Sequence, residues 1–123
     1  MGMPAHGRHL PAFVLLMVVL HGPLHGRAVA TLLRRSLPGG STADDPAVYR
    51  CLRDLETAGL VTSEWVPGPG GPARHVYRAT DRAPARLAEW AEEIARSRRN
   101  LDYFLDSWAA WNRTGSAAPG RSG

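Results

Sequence analysis

The sequence contains no lysine and only one cysteine, Cys51, among its 123 residues. A single cysteine excludes a disulfide framework and the cysteine-rich zinc motifs. Aromatic residues make up only 7% of the chain, but hydrophobic residues make up 44%, which is enough for a compact core and excludes wholesale disorder. The length indicates one small domain, or one domain with an extension.

Positive charge comes from arginine alone, and 15 basic residues against 11 acidic ones give a net charge of +4. The planar guanidinium group suits phosphates and guanine edges, so the composition is compatible with a nucleic-acid partner. A GC-rich coding bias would produce the same excess of arginine, so composition alone does not decide between the two explanations.

The longest apolar run, Leu10–Leu20, is too short to cross a membrane as a helix, which needs about 20 residues. It also resembles the hydrophobic part of a secretory signal, with Ala28-Val29-Ala30 as a cleavage site. Against this interpretation, His21-Gly22-Pro23 ends the run and Arg27 lies just before the site. We therefore expect a cytoplasmic protein without membrane contact, and secretion is the weaker alternative.

Periodicity and turn residues predict a mainly α fold with a two-stranded β-hairpin. The first helix is apolar on all sides, so we expect it to be buried. The hairpin tip is predicted to be a long loop, Pro67–Ala73. The predicted bounds are about Pro11–Leu20, Arg27–Ser36 and Asp45–Ala58 for three short helices, Leu60–Val66 and Arg74–Ala79 for two strands, and Pro84–Trp111 for a long helix.

The third helix has the clearest start and end signals. Asp44 or Asp45 can cap it, Pro46 suits its first turn, and Gly59 can end it. At 100° per residue, one face is apolar and carries Val48, Cys51, Leu52 and Leu55. The opposite face carries Arg50, Arg53 and Thr57, with Tyr49 at its flank.

Three short helices followed by a hairpin predict a winged helix-turn-helix. In that fold the third helix enters a DNA major groove and the hairpin, or wing, reaches an adjacent groove or the backbone. Arginines one turn apart on the third helix suit phosphate and guanine contacts. The candidate DNA contacts are Arg50, Arg53 and Thr57 on the helix and Arg74 and His75 at the root of the wing.

The long helix carries an apolar stripe whose members are alternately three and four residues apart, with Ser97 as its polar break. This spacing predicts a homodimer interface, while packing on its own domain is the alternative. Trp90, Trp108 and Trp111 form a candidate pocket for a small aromatic effector, and plain packing is the alternative. The candidate interface residues are Leu87, Trp90, Ile94, Leu101, Phe104, Trp108 and Trp111.

These elements predict four segments along the chain. They are a flexible N-terminus (1–9), a winged helix-turn-helix domain (10–80), a dimerisation helix (81–112) and a disordered tail (113–123). The sequence carries no nucleophile-elbow, phosphate-loop or zinc-protease motif, so we expect no enzyme activity, cofactor or metal site.

Several segments, in order, carry a family resemblance. They are Leu20–Gly26 (LHGPLHG), Asp45–Val61 (DPAVYRCLRDLETAGLV), the wing segments Ser63–Trp65 (SEW) and Gly71–Thr80 (GPARHVYRAT), and Leu87–Trp90 (LAEW). Over about Leu10–Trp108 the chain resembles the PadR family of bacterial transcriptional regulators. The resemblance implies a dimeric winged-helix protein that binds double-stranded DNA, usually as a repressor. Operators that dimers read are usually inverted repeats, so we expect an operator of that kind. It also implies that Tyr49 contacts phosphate, that Arg74 contacts DNA from the wing, and that Tyr77 packs on the helices.

Two positions depart from the family pattern. Arg27, a candidate DNA contact, stands where the family has a tyrosine, so a charged group replaces an aromatic group that packs or contacts phosphate. Ala47-Val48 lacks the hydroxyl that the family carries before Tyr49. These departures keep an alternative open, in which the winged helix is a protein-interaction module without DNA affinity.

Overall fold

The computed structural model describes residues 8–41 and 43–115. These residues form a mainly helical fold with a β-hairpin wing, as predicted, although its sheet has three strands. The elements in chain order are α1 (Leu10–His21), β1 (Leu24–His25), α2 (Gly26–Ser36), α3 (Asp45–Thr57), β2 (Val61–Gly68), β3 (Gly71–Ala79) and α4 (Ala83–Thr114).

The predicted flexible ends fall largely outside the described residues, which exclude 1–7 and 116–123. Arg8 and His9 form a turn, and Arg113 and Thr114 continue α4. The long helix therefore ends at Thr114, three residues after the predicted Trp111.

Residues up to Glu89 form one compact unit in which α1, α2 and α3 pack against one another. The third helix contributes its predicted apolar face to this core, since Val48, Cys51, Leu52 and Leu55 are all buried. The largest fully buried side chains are Leu15, Leu33, Leu52, Val14, Val18, Val29, Val48 and Val61.

Helix α1 is not buried on all sides, contrary to the prediction. Val14, Leu15 and Val18 lie in the core, but Leu20 is 62% exposed and Leu16 and Val19 are about one-third exposed. A uniformly apolar helix gives no pattern from which its buried side can be read, so the sequence could not show which face packs.

Helix α3 begins as its sequence predicts. The Asp44 carboxylate accepts a hydrogen bond from the Ala47 N–H at 2.9 Å, which satisfies one of the free amides of the first turn. Pro46 lies in that turn, where its missing N–H is not needed. This cap fixes where α3 starts and hence which residues face outward.

The sheet contains a strand that the sequence did not predict. Leu24 and His25 form β1, which pairs antiparallel with β3, so the strand order is β1-β3-β2. Two residues between Pro23 and α2 are too few to show an alternating pattern. This short strand attaches the wing to the start of α2.

The two wing strands are longer than predicted, and the proposed tip loop Pro67–Ala73 was wrong. Gly68 pairs with Gly71, which leaves only Pro69 and Gly70 in the turn. Gly70 has a φ of 69°, and proline followed by such a glycine suits a tight turn. The register shifts between Val66 and Gly68, because Pro67 between them cannot donate to the ladder.

Helix α4 runs without a break for 32 residues. It begins at Ala83, so Pro84 lies in the first turn, where a proline is tolerated. Its residues from Trp90 onward form a second compact unit. Across the described residues, we find no helix with both the length and the apolar character needed to cross a membrane.

Candidate nucleic-acid interface

The outward face of α3 carries the two arginines that the sequence places there. Arg50 and Arg53 are exposed, and within the described residues no carboxylate lies within ion-pair distance of either one. Thr57 is also exposed, but its hydroxyl donates to the Arg53 carbonyl at 3.1 Å. The face therefore offers two guanidinium groups that no acid in this part of the chain neutralises.

Tyr49 lies at the flank of this face and is 40% exposed. Its ring contacts Gly26, the first residue of α2, so closely that a side chain there would overlap it. Arg27 follows in the first turn of α2 and is exposed. The missing side chain of Gly26 thus lets the start of α2 lie beside the flank of the outward face of α3.

Tyr49 and Arg27 line a cleft of about 500 Å³ that lies between the start of α2, α3 and the wing. We call it the wing cleft. It brings together four of the predicted contacts, Arg27, Tyr49, Arg74 and His75, but not Arg50, Arg53 or Thr57. Its lining residues are His25, Gly26, Arg27, Tyr49, Trp65, Arg74 and His75, and none of them is acidic.

His25 links α2 to the wing. Its Nδ1 accepts a hydrogen bond from the Ala28 N–H at 3.3 Å, which caps α2, and its Nε2 lies 3.3 Å from Nη1 of Arg74. A neutral imidazole has only one acceptor nitrogen, so it can accept from Ala28 or from Arg74 but not from both. The Arg74 guanidinium therefore lies near the start of α2, and its hydrogen bond to His25 competes with the helix cap for the one acceptor nitrogen of the ring.

A row of aromatic rings crosses the wing. Trp65 stacks on His75 with 4.6 Å between ring centroids and 11° between planes, and His75 lies 4.8 Å from the Tyr77 ring. The Tyr77 hydroxyl is 3.4 Å from Nδ1 of His75. Tyr77 is buried as expected, and this burial raises its pKa above the ordinary value, with a smaller contribution from Glu56.

Two hydrogen bonds join the wing to the end of α3. Ser63 on β2 donates to the Glu56 carboxylate at 2.8 Å, and Thr80 after β3 donates to the Gly59 carbonyl at 2.8 Å. The Leu60 carbonyl also accepts from the Thr80 amide at 3.0 Å. Because both wing strands are attached here, the positions of the wing and of α3 are coupled.

In the second unit, the C-terminal part of the apolar stripe is exposed. Leu101, Phe104, Trp108 and Trp111 are between 46% and 63% exposed. Trp108 and Trp111 stack with 5.5 Å between their centroids. Trp90 precedes Trp108 by 18 residues, about 27 Å along a helix, so one chain does not bring all three tryptophans together.

Comparison with known proteins identifies the family. Residues 15–89 match the transcriptional regulator PadR-like family, and this match spans more than half of the chain. The chain belongs to the PadR-like family. A comparison with curated proteins found no match.

Solved structures of PadR-like proteins share this fold. A PadR family transcriptional regulator from Eggerthella lenta is 27% identical, with a TM-score of 0.67 over 81% of this chain and 84% of that one. A PadR-like regulator from Bacillus cereus is 17% identical, with a TM-score of 0.67 over 81% and 94%. Bacillus subtilis PadR, solved in complex with operator DNA, is 21% identical, with a TM-score of 0.60 over 67% of this chain and 46% of that one.

Sequence reasoning named four of the seven residues that line this PadR-like wing cleft as candidate contacts and missed His25, Gly26 and Trp65. Val61, Ser63 and Trp65 are two residues apart, so alternation along the strand shows only that they share one face of it. The stacking of Trp65 depends on His75 across the hairpin, which only the strand register reveals. His25 was missed because histidine is not a typical helix cap.

Proposed function

We propose that this PadR-like protein is a sequence-specific DNA-binding regulator that acts as a homodimer on an inverted-repeat operator, most simply as a repressor. One observation carries the proposal. On α3, Arg50 and Arg53 have no acidic partner among the described residues. Tyr49, at the flank of the same helix face, lines a cleft that also contains Arg27 and Arg74 and has no acidic lining residue. DNA affinity depends on neutralising phosphates, and a surface of this composition can do so.

The reading head in this proposal is the exposed face of α3. A helix fits the major groove, where an arginine can bind the O6 and N7 atoms of guanine through two hydrogen bonds. Arg50 and Arg53 are one turn apart, so one can read a base while the other contacts the backbone. Thr57 extends the same face. Tyr49 at its flank and His75 on the wing both line the wing cleft.

The exposed stripe of α4 supports the homodimer. Four large apolar side chains left in water favour association, and a stripe with a 3.5-residue repeat suits a partner helix. Leu87, Trp90 and Ile94 would extend that interface along the helix. A twofold dimer presents two reading heads to two half-sites, which is why we propose an inverted-repeat operator.

The tryptophan pair supports a small aromatic effector as a finer proposal. Trp108 and Trp111 already stack, and a second copy of the helix would bring further rings, including Trp90, toward this pair. Flat aromatic compounds would then bind between the rings. A regulator of this kind acts on the chromosome, so we place its action in the cytoplasm.

The test is fluorescence anisotropy with duplex DNA from the upstream region of its own gene, over a salt series. The variant is Arg50→Ala/Arg53→Ala. The matched control is Arg96→Ala/Arg99→Ala, which removes the same charge at the same spacing from exposed positions of α4. Sedimentation of all three proteins establishes whether each is a dimer.

We expect wild type and control to bind alike, with affinity that falls steeply as salt rises. The Arg50→Ala/Arg53→Ala protein should bind more weakly by about 1–3 kcal/mol for each guanine that is no longer read. Its salt slope should fall by about 0.9 for each phosphate that is no longer neutralised. A folded wild-type dimer that binds no duplex at low salt would overturn the proposal and favour the protein-interaction module that Arg27 and Ala47-Val48 leave open.

A further inference from the structure

Trp65 on the wing is largely exposed and packs through one face of its ring. It is 68% exposed, although covering a ring of this size would be strongly favourable. One face stacks on His75, which Tyr77 contacts in turn, so the ring has a fixed orientation. Its exposure leaves the other face open to a partner.

The surroundings of Trp65 define the chemistry of that partner. The wing cleft places Trp65 together with Arg27 from α2 and Arg74 from β3, and none of its lining residues carries a negative charge. Among the described residues, Arg74 has Nε2 of His25 as its hydrogen-bond partner, and this nitrogen can accept only when Nδ1 carries the ring proton. A ligand that offers a negative group next to an apolar surface would satisfy all three side chains.

We infer that the wing cleft holds one sugar–phosphate segment of duplex DNA, with Trp65 against a deoxyribose and with Arg27 and Arg74 on the adjoining phosphate. The inference rests on the proposed function and adds Trp65 as a contact. In a duplex the base faces are stacked on one another, so an aromatic face outside the helix meets sugar rather than base. The contact is therefore independent of DNA sequence.

The test compares two duplexes of equal length and composition, the upstream sequence and a scrambled version. The variants are Trp65→Ala, Trp65→Phe and Arg27→Ala/Arg74→Ala. The control is Tyr103→Ala, which removes an aromatic residue that is 74% exposed on α4. Thermal unfolding of each protein establishes that it is folded at the assay temperature.

We expect Trp65→Ala to weaken binding to both duplexes by about tenfold, the change expected if about 55 Å² of apolar ring is covered on binding. Trp65→Phe keeps an aromatic face and should bind more tightly than Trp65→Ala. Arg27→Ala/Arg74→Ala should weaken both duplexes equally and lower the salt slope by about 0.9 for each phosphate left without its arginine. Tyr103→Ala should bind like the wild type.

Two results would overturn the inference while leaving the proposed function intact. In one, Trp65→Ala binds both duplexes as tightly as the wild type. In the other, its affinity falls only for the upstream sequence, which would make Trp65 a base reader. If the wild type binds neither duplex, the proposed function fails and this inference fails with it.

Discussion

Gly26 at the start of α2 contacts the ring of Tyr49 on α3 so closely that a Cβ on Gly26 would overlap the tyrosine ring. The absence of a side chain therefore permits both the close approach of the two helices and the present position of the Tyr49 ring. Since Tyr49 lines the wing cleft, a change at Gly26 should act on DNA binding through this ring.

Gly26→Ala should push the Tyr49 ring out of its place. The ring is 40% exposed and can move toward solvent, so we expect the free energy of unfolding to fall by only about 1 kcal/mol, the low end for overpacking. We also expect a clear decrease in DNA affinity, because the ring leaves its place in the wing cleft. Urea unfolding and anisotropy measure the two effects. Gly39→Ala is the control, because nothing lies within 4 Å of a Cβ there.

A double-mutant cycle with Tyr49→Ala tests the mechanism. Once the ring is absent, Gly26→Ala should cost no further stability and no further affinity. An equal cost in both backgrounds would show that Gly26 acts through its own backbone and not through Tyr49.

Helix α3 was predictable because the residues that start and end it lie next to its ends in the sequence. Contacts between residues that are distant in sequence leave no such pattern. Asp44, Pro46 and Gly59 each act within a few residues of the helix ends, so spacing alone located them. The wing tip was mistaken for a loop because Pro67 and the glycines disfavour strands on average, while the pairing of Gly68 with Gly71 overrides that preference.

The same distinction applies to the candidate site. Arg50 and Arg53 followed from helical periodicity, since the buried face fixes the exposed one. The wing cleft depends on β1, on the contact between Gly26 and Tyr49, and on the stacking of Trp65 on His75. Each of these joins residues that are distant in sequence, so their encounter is visible only in the folded chain.

His25 caps α2 and should therefore matter for stability. His25→Ala leaves the Ala28 N–H without its acceptor, and we expect a decrease of about 0.5–1 kcal/mol in the free energy of unfolding. His25→Asn supplies a better helix cap and should restore that stability, although its shorter side chain does not reach Arg74. Urea unfolding at fixed protein concentration measures both variants. Equal destabilisation by alanine and asparagine would contradict the capping role.

Gly59 ends α3 in the left-handed region, with a φ of 81°. Its amide donates to the Glu56 carbonyl at 3.0 Å and the Leu60 amide donates to the Leu55 carbonyl at 2.9 Å, which is a Schellman arrangement. Gly59→Ala should cost about 1–2 kcal/mol, because a Cβ is strained in this conformation. Gly59→Asn should cost less, since asparagine tolerates it better. An alanine variant as stable as the wild type would show that α3 ends differently.

Cys51 is buried at 7% exposure on the packed face of α3, as predicted, which is the position of a small apolar residue. Burial raises the pKa of its thiol from 9.0 to about 12, and Asp54 adds to the rise. At pH 8 the reactive thiolate fraction is then about one in ten thousand, against about one in ten for the unshifted group.

We therefore expect native Cys51 to react with iodoacetamide about a thousandfold more slowly than an exposed cysteine at pH 8. The rate should rise about tenfold per pH unit while the fold is intact, because thiolate continues to accumulate up to the raised pKa. The protein unfolded in urea is the control and should react at once. Because the chain has a single cysteine, mass spectrometry reports this site alone. Rapid alkylation of the folded protein at pH 8 would mean that α3 opens often enough to expose its buried face.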